Sequence, residues 1–159
     1  MTGPSSAAER RALRDGLAAV PARLAAAATS AAGRPRAPGE WSAAEVVRHL
    51  LTVEEDVWLQ RLRQVTHETR PRWPWIEPGL GRPRRGRALA WLLDAYTARR
   101  GETVRYLDGL DAAGWMRSGI HATYGVLDVA GLLRRALAHD EEHLADLERR
   151  AAGGRAASR

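Results

Sequence analysis

Apolar residues recur three and four positions apart in four stretches of this chain, the spacing of an amphipathic helix. The first stretch runs from Ser6 to about Ala31, where Leu13, Leu17, Val20 and Leu24 trace one face among good helix formers. Pro21 predicts a kink or a division there, because it lacks a backbone donor and crowds the preceding turn. After the loop GRPRAPGEW, Ser42 and Glu45 form S-x-x-E, the pattern of a capping box. The second helix follows to about Thr66, with Val46, His49, Leu50, Val53 and Val57 on its inner face. Residues His67 to Arg87 are too rich in Pro and Gly for a regular element. A third helix, Ala88 to about Leu110, turns Leu89, Leu92, Leu93, Tyr96, Val104 and Leu107 inward. The loop DAAGWMRSGIHATYG leads to Asp128, a plausible N-cap for a last helix ending near Ala152. Val129, Leu132, Leu133, Ala136, His139, His143 and Leu147 share that helix's inner face. The tail GGRAASR is expected to fray. No segment alternates with a strand's period and no repeat stands out. Four amphipathic helices in one domain, residues 1–159, predict an all-α four-helix bundle.

At 159 residues with 45% apolar content, the chain can bury one ordinary core. All 25 basic residues are arginine, Lys and Phe are absent, and the formal charge is +6. That bias resembles GC-rich coding, so the positive charge does not by itself argue for a nucleic-acid partner. The absence of cysteine removes disulfides, thiolate metal sites and a cysteine nucleophile together. No signal-like or membrane-spanning apolar run is present, which predicts a soluble cytoplasmic protein without a membrane partner.

The candidate chemistry lies in HDEEH. At roughly 100° per residue, His139 and His143 point within about 40° of each other, along the apolar face of the last helix. His49 lies on the apolar stripe of the second helix, and a bundle interior is where facing helices build metal sites. Three imidazoles there suit Zn²⁺ or Ni²⁺, or else Fe²⁺, with positions left open for water or substrate. The plainer alternative is that these are hydrogen-bonded core histidines. Asp140 and Glu142 sit about 80° off the ligand face and are expected on solvated flanks, with a second role as catalytic candidates near the ion. Glu141 points to solvent. His121, with Tyr124, falls in the loop expected near the metal end and is a third catalytic candidate, whereas His67 reads as a plain loop residue.

In RPRWPWIEPGLGRPRRGR, arginines 70, 72, 82, 84, 85 and 87 accompany Trp73 and Trp75. Arg84, Arg85 and Trp75 are candidates for gripping an anionic substrate or a thiol's carboxylates. Stacking on single-stranded nucleic acid, or a simple solvated connector, are the alternatives.

The stretch GEWSAAEVVRHLLTVEEDVWLQRL resembles the opening of the second helix in the DinB-like family. GWMRSGIHATYGVLDVAGLLRRALAHDEEHLADL resembles that family's final region, ending in H-D-x-x-H-L. The resemblance implies a four-helix bundle in which His49, His139 and His143 hold a divalent metal. It also implies kinship with transferases and isomerases that use mycothiol or bacillithiol. A protein without cysteine must borrow a thiolate if it is to do thiol chemistry, and a metal cation lowers the pKa of a thiol or of water. Metal-dependent hydrolysis at the same site is the alternative, and a metal-free bundle binding a small molecule or partner is another. A small-molecule substrate is expected and a homodimer admitted, while nucleic acid is not an expected partner.

Overall fold

The computed structural model describes residues 5–76 and 84–153, and the expected frayed tail and Arg82 fall largely or wholly outside them. Helix α1 spans Ala7–Ala32, its first turn capped by Ser6, whose hydroxyl accepts from the Glu9 amide at 3.1 Å. It runs undivided through Pro21, contrary to the expected division, since Leu17, Val20 and Leu24 on either side are all buried. Tertiary packing here outweighs the local cost of the proline.

The second rod has three parts: α2 (Ala43–Val53), a wider π-helical turn (Glu54–Leu59) and α3 (Gln60–His67). The capping box forms as expected, with the Ser42 amide donating to Glu45 at 2.7 Å and the Glu45 amide to Ser42 at 3.2 Å. Helix α4 spans Leu89–Asp108, and the short α5 spans Ala112–Met116. The last helix, α6 (Val129–Ala151), begins where Asp128 accepts from the Gly131 amide at 2.6 Å. α1 packs chiefly on α6 and α4, and α2 packs on α4, which closes the four-helix bundle.

Three short strands correct the strand-free expectation: β1 (Arg72–Trp73), β2 (Ser118–His121) and β3 (Gly125–Asp128). β1 runs parallel to β2 with Trp73 opposite His121, and β2 and β3 form a hairpin with His121 opposite Gly125. The ring of the buried Trp73 lies over Gly119, where any Cβ would collide with it. Trp73 is further fixed by its indole N–H donating to Gln64 at 3.0 Å. The sheet therefore docks the segment after α3 onto the bundle end and carries His121 there.

The apolar core falls into two clusters. One gathers Leu24, Val47, Leu51, Tyr96, Leu144 and Leu147, and the other Leu17, Leu62, Val65, Leu107, Leu132 and Leu133. At the divide sits a buried ion network. Arg100 of α4 donates to Glu54 of the π-helical turn and to Asp140 of α6, each at 2.7 Å, and all three side chains are 1% exposed. Thr103 caps the other Glu54 oxygen, and the Tyr96 hydroxyl donates to Asp140 at 3.3 Å. No helix among the described residues is long and apolar enough to cross a membrane.

Candidate metal centre

His49 leaves α2 one turn before the π-helical segment, and His139 and His143 leave α6 on the facing surface. Their ligand-capable nitrogens all lie within 4.8 Å of one another, and the His49 and His139 Nε2 atoms are 3.1 Å apart. Two imidazole nitrogens bound at zinc's usual 2.0–2.1 Å would sit about 2.8–3.4 Å apart for right-angle to tetrahedral geometry. The observed separation falls in that interval. Ring centroids are 4.8 to 5.2 Å apart in all three pairs, so the rings converge instead of stacking. Trp41 packs against His49 at 5.1 Å and lies parallel to His143 at 6.1 Å, while Trp58 meets His139 edge-on at 6.0 Å.

The electrostatics favour the metal-binding form of His49 and His143. Burial, reinforced by the neighbouring His143 and His139, lowers the pKa of His49 to about 4. Burial and then His139 lower that of His143 as well. Neutral imidazoles present lone pairs at ordinary pH, as a metal requires. The Nδ1 atoms of His49 and His139 are buried without a hydrogen-bond partner. The carboxylate nearest to His139 Nδ1 is Asp140, at 3.6 Å, an electrostatic neighbour beyond hydrogen-bond reach. Three converging imidazole nitrogens could hold a divalent ion, and the residues fit that role.

Asp140 corrects the solvated-flank expectation. Burial alone would push its pKa up, but Arg100 and the contact with His139 more than offset this and leave it lowered. The helical wheel gave its direction correctly; α4 covers that direction with Arg100 and Tyr96. Glu142, by contrast, is exposed as expected and borders the cavity beside His139. Glu141 is half-exposed and paired with Arg23 at 2.6 Å.

A cavity of about 400 Å³ opens from the triad, lined among others by His49, His139, His121, Tyr124 and Trp75. His121 is buried at the end of β2, not in a loop, and its Nδ1 accepts from the Thr123 and Tyr124 amides at 3.0 and 3.3 Å. It stands outside the triad. Of the loop candidates, only Trp75 borders this cavity. Arg84 is committed to Glu55, which also accepts from Arg99 at 3.0 Å, and Arg85 is exposed away from the cavity. His67 closes α3 with Nδ1 2.9 Å from the Arg63 carbonyl oxygen.

Sequence reasoning missed Glu54, Trp58, Arg61, Arg100 and Arg135. For Arg100 a signal existed: Tyr96, Arg100, Thr103 and Leu107 follow one another at helical spacing, which puts the arginine on the core face. Glu54 lies in an EED run that reads as a solvated face, and nothing local marks it as buried.

The sequence signature described as the DinB superfamily matches residues 12–147. The chain belongs to the DinB superfamily. That match spans all four bundle helices and contains the three histidines, so the superfamily fold and the convergent triad occur together in one unit. Among solved structures, the chain is similar to YfiT from Bacillus subtilis, with 21% identity and a TM-score of 0.75. The similarity covers 97% of this chain and 93% of YfiT, which is described as a probable metal-dependent hydrolase with an unusual four-helix bundle topology. At that identity the likeness speaks to fold. No curated protein sequence matches the chain significantly.

Proposed function

We propose that this DinB-superfamily chain is a divalent-metal-dependent enzyme acting on a small molecule in the cavity beside the triad. The observation that carries this reading is the convergence of His49, His139 and His143 from two facing helices onto one point at the cavity wall. Zn²⁺ or Ni²⁺ suits three neutral imidazoles, with Fe²⁺ a third fit. A bound ion would supply Lewis-acid activation of a nucleophile at neutral pH.

The protein's own residues divide the remaining work. Trp41 and Trp58 pack against the ligand rings and limit water on their sides. Asp140, anchored by Arg100 and Tyr96, holds negative charge 3.6 Å behind His139 and so favours a cation at the triad. Glu142 and His121 both line the cavity as groups able to hold or move a proton.

For the nucleophile, the resemblance to thiol-using transferases favours a low-molecular-weight thiol of the mycothiol or bacillithiol type, which would make the enzyme an S-transferase; lacking cysteine, the chain would have to bind that thiol. Hydrolysis with water is the second reading, and the description of YfiT supports it. A two-arm assay separates them. Zinc- or nickel-loaded protein is given an electrophile with and without a thiol panel, and separately an ester and amide panel without thiol. Thiol-dependent turnover supports the transferase, and thiol-independent cleavage supports the hydrolase. A rate equal to that of metal-stripped protein in both arms overturns the enzyme reading.

A further inference from the structure

Two arginines, Arg61 and Arg135, line the cavity that the triad borders, and neither forms an ion pair among the described residues. Arg61 is buried, with 5% of its surface exposed, and donates one bond, to the Pro74 carbonyl oxygen at 2.9 Å. Arg135, one helical turn before His139, lies over the Tyr124 ring at 4.0 Å from its centre. A buried cation is rarely left without an ionic partner, because desolvation is costly, and Arg61 is such a cation, while Arg135 is exposed at the rim. Between them stands His121. Its Nδ1 already accepts two backbone N–H bonds, so in the neutral ring the proton sits on Nε2, which has no protein partner among the described residues. Burial first, and then the charges of Arg61 and Arg135, lower the His121 pKa, so both arginines lie within electrostatic reach of the ring. One carboxylate, Glu142, borders the cavity on the triad side.

The rest of the lining is flat and apolar: Trp58, Trp75 and Tyr124 supply aromatic faces or edges. A cavity of about 400 Å³ falls within the range of small-molecule sites. Guanidinium forks match planar carboxylates through paired hydrogen bonds, and a carboxylate borne on a flat aromatic body suits aromatic walls. We propose that Arg61, Arg135 and the His121 Nε2–H form an anion subsite that orients a small aromatic carboxylate, its flat body against Trp58 and Tyr124 and its other end toward the triad. This names the substrate class for the proposed function and rests on that reading for its catalytic meaning, although binding itself does not require the metal.

The test uses 2-naphthoate, its neutral amide 2-naphthamide, and the cation 2-naphthylmethylamine as probes. Calorimetric titrations are run on the full chain, both zinc-loaded and stripped with chelator. The expected result is that the carboxylate binds at least about tenfold tighter than the amide in both forms, and the amine weakest. Arg135→Gln should weaken naphthoate about tenfold while leaving naphthamide binding and metal content as in the parent. Arg61→Gln should act in the same direction, and because Arg61 is buried, the exposed Arg135 carries the decision if that variant fails to fold. Equal affinity for the three probes, no measurable naphthoate binding, or indifference to Arg135→Gln would each overturn the proposal. So would naphthoate binding that appears only with zinc and vanishes in His139→Ala, since the carboxylate would then sit on the ion. A chain that takes up no metal yet binds naphthoate through Arg135 would refute the metal reading and leave the anion subsite standing.

Discussion

Replacing Arg100 by methionine probes the polar centre on which the triad rests. Arg100 is 1% exposed and bridges Glu54 and Asp140 at 2.7 Å each, with both carboxylates equally buried. Methionine fills a similar volume but leaves two carboxylates in the core without a cation. Breaking a buried pair in this way costs about 3–5 kcal/mol, most of it from the stranded charges. For a domain of this size that corresponds to a fall in Tm on the order of 10 °C. An internal comparison is at hand in Arg14, which pairs with Asp108 through two bonds of 2.9 and 3.0 Å but is about a third exposed. Arg14→Ala, at a solvent-screened pair, should cost far less than Arg100→Met. Both are measured by urea unfolding of metal-free protein at pH 7. The triple variant Arg100→Met, Glu54→Gln, Asp140→Asn should recover at least half of the loss, since the amides keep the Thr103 and Tyr96 partners without the charges. An Arg100→Met cost no larger than that of Arg14→Ala, or a triple variant as unstable as the single, would refute a buried charge network as the organising feature.

Two further predictions follow from the same geometry. Burial holds the pKa of His49 near 4, against 6.5 for the ordinary side chain. Below 6.5 the unfolded chain therefore takes up a proton that the folded chain refuses, so stability is full above that value and declines as pH falls from 6.5 toward 4. Urea midpoints of metal-free protein between pH 7.5 and 4.5 should show that decline, and His49→Leu should flatten part of it; identical slopes would contradict the assignment. Separately, Gly119→Ala should cost about 1–3 kcal/mol by driving a methyl into the Trp73 ring, read as a lower Tm, whereas an unchanged Tm would contradict the close packing of β1 on β2.

The features legible in the sequence are those written in short-range rules. Helix faces follow from a 3.6-residue period, and the caps at Ser42 and Asp128 follow from one side chain and the amide three residues on. His49, His139 and His143 could be placed on core faces because each helix was long and clearly amphipathic. What escaped depends on which element lies opposite. β1 has two residues, and its pairing of Arg72 with Ile120 joins segments 48 positions apart, so no local alternation announced it. The π-helical turn departs from the assumed period at the point where Glu54 is buried. Asp140 illustrates the limit of a helical wheel, which supplies a direction but not the neighbour waiting there. Arg61 and Arg135 read as solvated charges on their own helices, and only the sheet that brings His121 and Tyr124 over the bundle end turns them into a shared wall.

The central claim is that three histidines from facing helices form one metal centre, and metal content measures it directly. Protein purified without chelator, or reconstituted with a slight excess of Zn²⁺ or Ni²⁺ and desalted, is analysed by elemental mass spectrometry beside the variants His49→Ala, His139→Ala and His143→Ala. The account predicts close to one divalent ion per chain in the parent and a loss of nearly all of it in each variant, with helical circular dichroism retained. A parent chain that refuses both metals, or a variant that keeps its full complement, would contradict it.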